Sequence, residues 1–141
     1  MAPRTAAVAA ILALPLALAA CLPEAMTPPP SGAQDYATFC AACHGSAGRG
    51  DGPAAEGQSP APADLTGLAA RNGGTFPMLS VMGKIYGYAG VPGATPTAGA
   101  MPEFGSLLEG QTVLFDAGDG IASPTPLRLV QIAQHLQTLQ D

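Results

Sequence analysis

The chain of 141 residues has no tryptophan, three tyrosines and four phenylalanines, and only 11% of its side chains are charged. So few large rings cannot fill a sizeable core in a domain this small, and some other source of buried apolar surface is expected. Basic residues are scarce: five Lys and Arg stand against ten Asp and Glu, a formal net charge of -5. That balance excludes a nucleic-acid-binding surface and docking through a ring of lysines, and it favours partners with a basic patch. Three cysteines and two histidines leave no second Cys/His pair to complete a four-ligand zinc site. No alternation of strand and helix patterns surrounds the cysteine pair, as a thioredoxin-like dithiol would require. Glycine (18) and proline (15) are abundant instead, and the glycine-rich stretch over 45–64 lacks the preceding strand and following lysine of a phosphate-binding loop.

The scarce residues are concentrated. Cys40, Cys43 and His44 form a C-x-x-C-H run, the attachment pattern for a covalent haem. Two thiols three residues apart reach the two vinyl groups of one porphyrin, and the next histidine is aimed at the iron. One haem c would also supply the missing core, so the chain without it is expected to fold poorly.

Residues 1–20 read as a lipoprotein-type signal peptide. Arg4 supplies the positive start and an apolar run over 6–20 follows, interrupted by Pro15 and too short for a confident membrane span. The run ends in Leu18, Ala19, Ala20 and Cys21, which resembles a bacterial lipobox and assigns Cys21 to lipidation. Residues 21–33 hold Pro23, Pro28, Pro29 and Pro30 and read as a semi-extended tether. Residues 34–141 form the folded domain. Its expected elements are a helix over 34–42 carrying the haem motif, a long loop over 45–64, a helical turn over 65–71 and a helix over 76–86. A loop over 87–105, a short strand or extended segment over 112–115 and a terminal amphipathic helix follow, the last capped by Thr125 with Pro126 at its first position.

For the second iron ligand the candidates are His135, Met26, Met78, Met82 and Met101. Met26 lies in the tether, Met78 and Met82 lie on or beside an apolar helical face, and His135 sits at the edge of the last helix's apolar stripe. Met101 is favoured, with Met82 next. It lies in a Gly/Ala-rich loop, and Pro102 holds the preceding residue extended, so that a thioether can project onto a porphyrin face.

With C-x-x-C-H, a late Met-Pro and a terminal amphipathic helix in that order, residues 31–140 resemble a class I, monohaem c-type cytochrome of the small exported bacterial kind. The resemblance implies an all-α fold, three to five short helices and long Gly/Pro-rich loops wrapped around one haem. It implies that Gly32 and Tyr36 pack on the last helix where Ile132 and His135 stand, His135 replacing the usual tyrosine. It implies a proline carbonyl, of Pro60 or Pro62, accepting a hydrogen bond from His44. Arg71, Lys84, Tyr86 and Tyr88 are candidate replacements for the missing tryptophan at a propionate.

The expected function is one-electron transfer by a His44/Met101-ligated haem, with no catalytic residues. Its partners would be membrane respiratory or photosynthetic complexes, an oxidase or a dehydrogenase, and the chain a monomer anchored by lipid on the periplasmic side of a bacterial membrane, or soluble in the periplasm. Two rivals are a fixed electron-relay subunit of an oxidoreductase complex and a haem-based sensor of nitric oxide or carbon monoxide.

Overall fold

Ser31 opens the first helix with a reciprocal cap. Its hydroxyl accepts from the Gln34 N–H at 3.3 Å, and its own N–H donates to the Gln34 side chain at 2.8 Å. A computed structural model describes residues 28–87 and 101–141, and in it helix α1 (Gly32–Phe39) starts two residues ahead of the expected 34. It does not run on through the haem motif. Cys40, at φ -115°, departs from helical geometry, and a separate turn, α2 (Ala41–His44), begins there with the N–H groups of Cys43 and His44 both donating to the Cys40 carbonyl.

Helices α3 (Leu68–Arg71) and α4 (Met78–Tyr86) follow. Gly87 ends α4 in the left-handed region (φ 94°) and donates to the Gly83 carbonyl at 3.0 Å, a cap that other residues adopt only with strain. Beyond Met101 come a 3-10 turn (Gly105–Leu107), strands β1 (Thr112–Phe115) and β2 (Ser123–Pro126), and helix α5 (Leu127–Thr138). The strands form an antiparallel ribbon running from Thr112 opposite Pro126 to Phe115 opposite Ser123. The all-α expectation holds: among the described residues there are five short helices, and the ribbon is the only sheet.

Two readings of the Thr125-Pro126 region are corrected. Thr125 does not cap the last helix; it pairs with Val113 in the ribbon, and its hydroxyl donates to the Ser123 carbonyl at 2.9 Å. Pro126 precedes the helix and is not its first residue, while the Leu127 N–H donates to the Gln111 carbonyl at 2.8 Å. Ribbon backbone thus satisfies a helix-end donor that a side chain was expected to satisfy. Strand β2 went unanticipated because Pro124 and Pro126 argue against a strand, yet a two-stranded ribbon has outer edges that need no N–H.

The core forms where α1 crosses α5. A Cβ on Gly32 would overlap the Gln131 carbonyl, so only glycine lets the two backbones approach so closely. One turn on, Tyr36 is buried and its ring lies 5.2 Å from that of His135, tilted by 58°, as expected of the crossing. Leu129, Val130, Ile132, Ala133 and Leu136 make the buried stripe of α5, against which Val81, Met82 and Ile85 of α4 are buried in the same cluster. Gln140 ties the chain's last turn down: its side chain accepts from the Ala69 N–H and donates to the Leu65 carbonyl, both at 2.9 Å. Among the described residues no helix is long and apolar enough to cross a membrane.

Candidate functional site

The break at Cys40 determines how the motif is presented. Cys40 points into the protein and is buried, whereas Cys43 and His44, on the following turn, are half-buried. All three line a mainly apolar cleft with two lobes of roughly 220 and 480 Å³. Cys40, His44, Ala63, Lys84 and Met101 border both lobes, so the lobes adjoin around these residues, and the larger falls within the ~300–1,000 Å³ typical of small-molecule and cofactor sites. Met101 is half-buried and faces the cleft together with Pro102 and Phe104.

The His44 ring is fixed from behind. Its Nδ1 lies 2.8 Å from the carbonyl oxygen of Ala63. With Nδ1–H donating there, the lone pair is on Nε2, which is the state a metal-ligating imidazole needs. The acceptor is therefore neither Pro60 nor Pro62, and this corrects the expectation. Both prolines line the cleft, and the Pro62 carbonyl oxygen lies so close to Gly50 that a side chain there would overlap it. The next carbonyl along the chain meets the ring instead.

The segment that offers Ala63 is itself held. The Thr66 hydroxyl and N–H donate to Asp64 at 2.7 and 2.8 Å, which draws the Asp64 carboxyl below the usual carboxylate range. Arg71 donates to the Asp64 backbone carbonyl at 2.6 Å, so its guanidinium serves this loop and does not line the cleft. Tyr36 donates to the Gly45 carbonyl at 2.7 Å, anchoring the chain just after His44. Burial, with Cys40 and Asp51 nearby, pushes the Tyr36 hydroxyl up to about 12, so it keeps its proton and remains a donor.

Cys40 does not have the electrostatics of an activated thiol. Burial, reinforced by Asp35 and Cys43, pushes the Cys40 thiol up to about 11, whereas an activated exchange thiol is held low. Among the described residues no cluster of three or more His, Cys, Asp or Glu is arranged to hold a metal ion directly. The donor set does fit a haem c: two unpaired thiols, an imidazole with Nε2 available and a thioether share one apolar cleft.

The other candidates fall elsewhere. Met82 is buried in the core against a different groove, and Met78 packs at the edge of the core cluster. Lys84 borders both lobes, while Tyr86 packs at the core's edge. Cys21, Met26 and Tyr88 lie outside the described residues. Sequence reasoning missed the Ala63 carbonyl, for which no side chain could signal. It also missed Gln58, whose amide donates to the Cys43 sulfur at 3.5 Å and to the Ala54 carbonyl at 2.6 Å.

Comparison with known proteins gives one family: the model described as Cytochrome c matches residues 31–113, more than half of the chain. No curated protein and no solved structure matches.

Proposed function

Since the chain belongs to the cytochrome c family, whose members transfer electrons through a covalently bound haem c, we propose that it is a class I, monohaem electron carrier with His44 and Met101 as iron ligands. The observation that carries this reading is the convergence of Cys40, Cys43, His44 and Met101 on one apolar cleft. When bound, the haem supplies reversible one-electron exchange between ferric and ferrous iron.

The chain's own residues supply the rest. Cys40 and Cys43 hold the group by two thioether bonds. The bond from His44 Nδ1–H to the Ala63 carbonyl keeps the imidazole oriented and raises its basicity as a ligand. Met101 offers a soft, uncharged sulfur that favours the ferrous state, and Pro102 restricts the Met101 backbone to extended conformations. The apolar lining disfavours the extra positive charge of the oxidised centre, which raises the potential further. With His44 and Met101 both given to the iron, a bound haem would have no site left for a substrate, and little rearrangement of these residues would accompany electron exchange.

Carbon monoxide separates this reading from a gas sensor. Added to the reduced, haem-loaded protein, it is expected to leave the spectrum unchanged; binding within the mixing time of a stopped-flow experiment would make the protein a sensor instead.

The reading extends to location. Residues 1–20 act as a bacterial lipoprotein signal, Cys21 carries the lipid, and the Pro-rich segment that follows, ending before the helix cap at Ser31 and not at residue 33, tethers the domain on the periplasmic side of a membrane. Such an anchor confines the haem edge to a search near membrane-bound redox partners and raises their effective concentration. Cys21→Ser is expected to release a still-coloured protein into the soluble fraction. Retention of that variant in the membrane fraction would contradict the anchor.

A further inference from the structure

Arg128, near the start of α5, makes more contacts than a helix-to-helix ion pair requires. Its Nε and Nη2 donate to the two oxygens of Asp35 on α1 at 2.9 and 2.5 Å, a bidentate pair in which Asp35 is 2% exposed. Its Nη1 reaches a third chain segment and donates to the Leu107 carbonyl at 2.7 Å. Its guanidinium carbon also lies 5.6 Å from the centre of the Phe39 ring. Burying an ion pair often gives little or no net stability relative to apolar packing, so the pairing with Asp35 does not by itself explain this arrangement.

Two of the three segments lead into walls of the cleft. Phe39 immediately precedes Cys40 and lines the cleft on the thioether side. Leu107 closes the 3-10 turn that follows the Met101 side, and Phe104, between them, also lines the cleft. The Phe39 and Phe104 rings are 6.1 Å apart, and the Phe104 N–H donates to the Ile85 carbonyl at 3.0 Å. One guanidinium therefore joins the wall that carries Cys40 to the segment that carries Met101.

We propose that Arg128 is a positioning residue for the sixth iron ligand: by bridging Asp35, Phe39 and the Leu107 carbonyl it holds the Met101 segment at bonding distance from the haem. The inference rests on the assignment of Met101 as that ligand. An external base competes for the iron only in molecules whose methionine has left it, so its apparent affinity reports the fraction of open molecules. Loosening the Met101 segment raises that fraction. A lysine cannot replace the fork, because one ammonium does not reach both Asp35 oxygens and the Leu107 carbonyl in fixed geometry.

The test is imidazole binding to the ferric, haem-loaded full-length protein, read from the loss of the sulfur-to-iron charge-transfer band, in wild type, R128Q, R128K and L139A. Leu139 packs at the edge of the core away from the cleft lining, so its variant controls for general destabilisation. R128Q is expected to bind imidazole about tenfold more tightly than wild type, equivalent to about 1.4 kcal/mol. R128K should fall between the two, and L139A should match wild type. Wild-type affinity in R128Q, or an equal rise in L139A, would overturn the proposal. If R128Q fails to take up haem, R128K decides: wild-type affinity there overturns it and tighter binding supports it. If the wild type shows no sulfur-to-iron band, the Met101 assignment falls and this inference falls with it.

Discussion

Replacing Cys40 and Cys43 together with alanine is expected to abolish covalent haem and, with it, most of the cooperative fold. The chain has few large side chains, and the buried cluster where α1, α4 and α5 meet borders directly on the cleft. Without the haem the larger apolar lobe, roughly 480 Å³, is left to water, and the contacts a haem would make across it are lost. The loss falls on a fold whose total stability, in a typical domain, is only ~5–15 kcal/mol. The covalent links also prevent the group from leaving when the cleft opens. Haem-stained denaturing electrophoresis should show a coloured band for wild type and none for the double variant. Circular dichroism of the variant should show weak helix signal without a sharp melting transition. A coloured band that survives denaturation in the double variant would mean that attachment lies elsewhere.

Met101→Ala is expected to have the second largest effect, and on the potential more than on the fold. Met101 borders both lobes but is half-buried and outside the fully buried core, so its truncation removes little packing. What it removes is a soft axial donor. Loss of the thioether should lower the reduction potential by on the order of 0.2 V, within the ~0.8 V range that axial ligation spans. The variant should also bind carbon monoxide in the ferrous state, because an axial position is open. Met82→Ala supplies the contrast. Met82 is 6% exposed and lies in the core, so its replacement should lower the melting temperature and leave the potential near the wild-type value.

Much of the fold could be read in advance because its determinants are local. The apolar stripe of α5 and the spacing of Leu79, Met82 and Ile85 each act within a few residues of chain, whereas the reciprocal cap at Ser31 went unread and the first helix was expected two residues late. The crossing of Gly32 and Tyr36 with Ile132 and His135 came from family resemblance, and the close approach at Gly32 and the ring contact of Tyr36 with His135 give it physical content. What escaped the sequence was mostly backbone. The Ala63 carbonyl replaces those of Pro60 and Pro62 because peptide orientation, not residue type, decides which oxygen faces His44. The capping power of Thr125 was overruled by strand pairing, which its local sequence gives no sign of. The bond from Arg128 to Leu107 spans 21 residues of chain and runs to a backbone atom, beyond the reach of any periodicity argument.

The most direct test of the account is a potentiometric titration of the wild-type, haem-loaded protein followed by absorption spectroscopy. His44/Met101 ligation predicts a reversible one-electron transition at a clearly positive potential, low-spin spectra in both states and a weak sulfur-to-iron band in the oxidised protein only. A high-spin spectrum in either state, or a potential well below zero with no sulfur band, would contradict it.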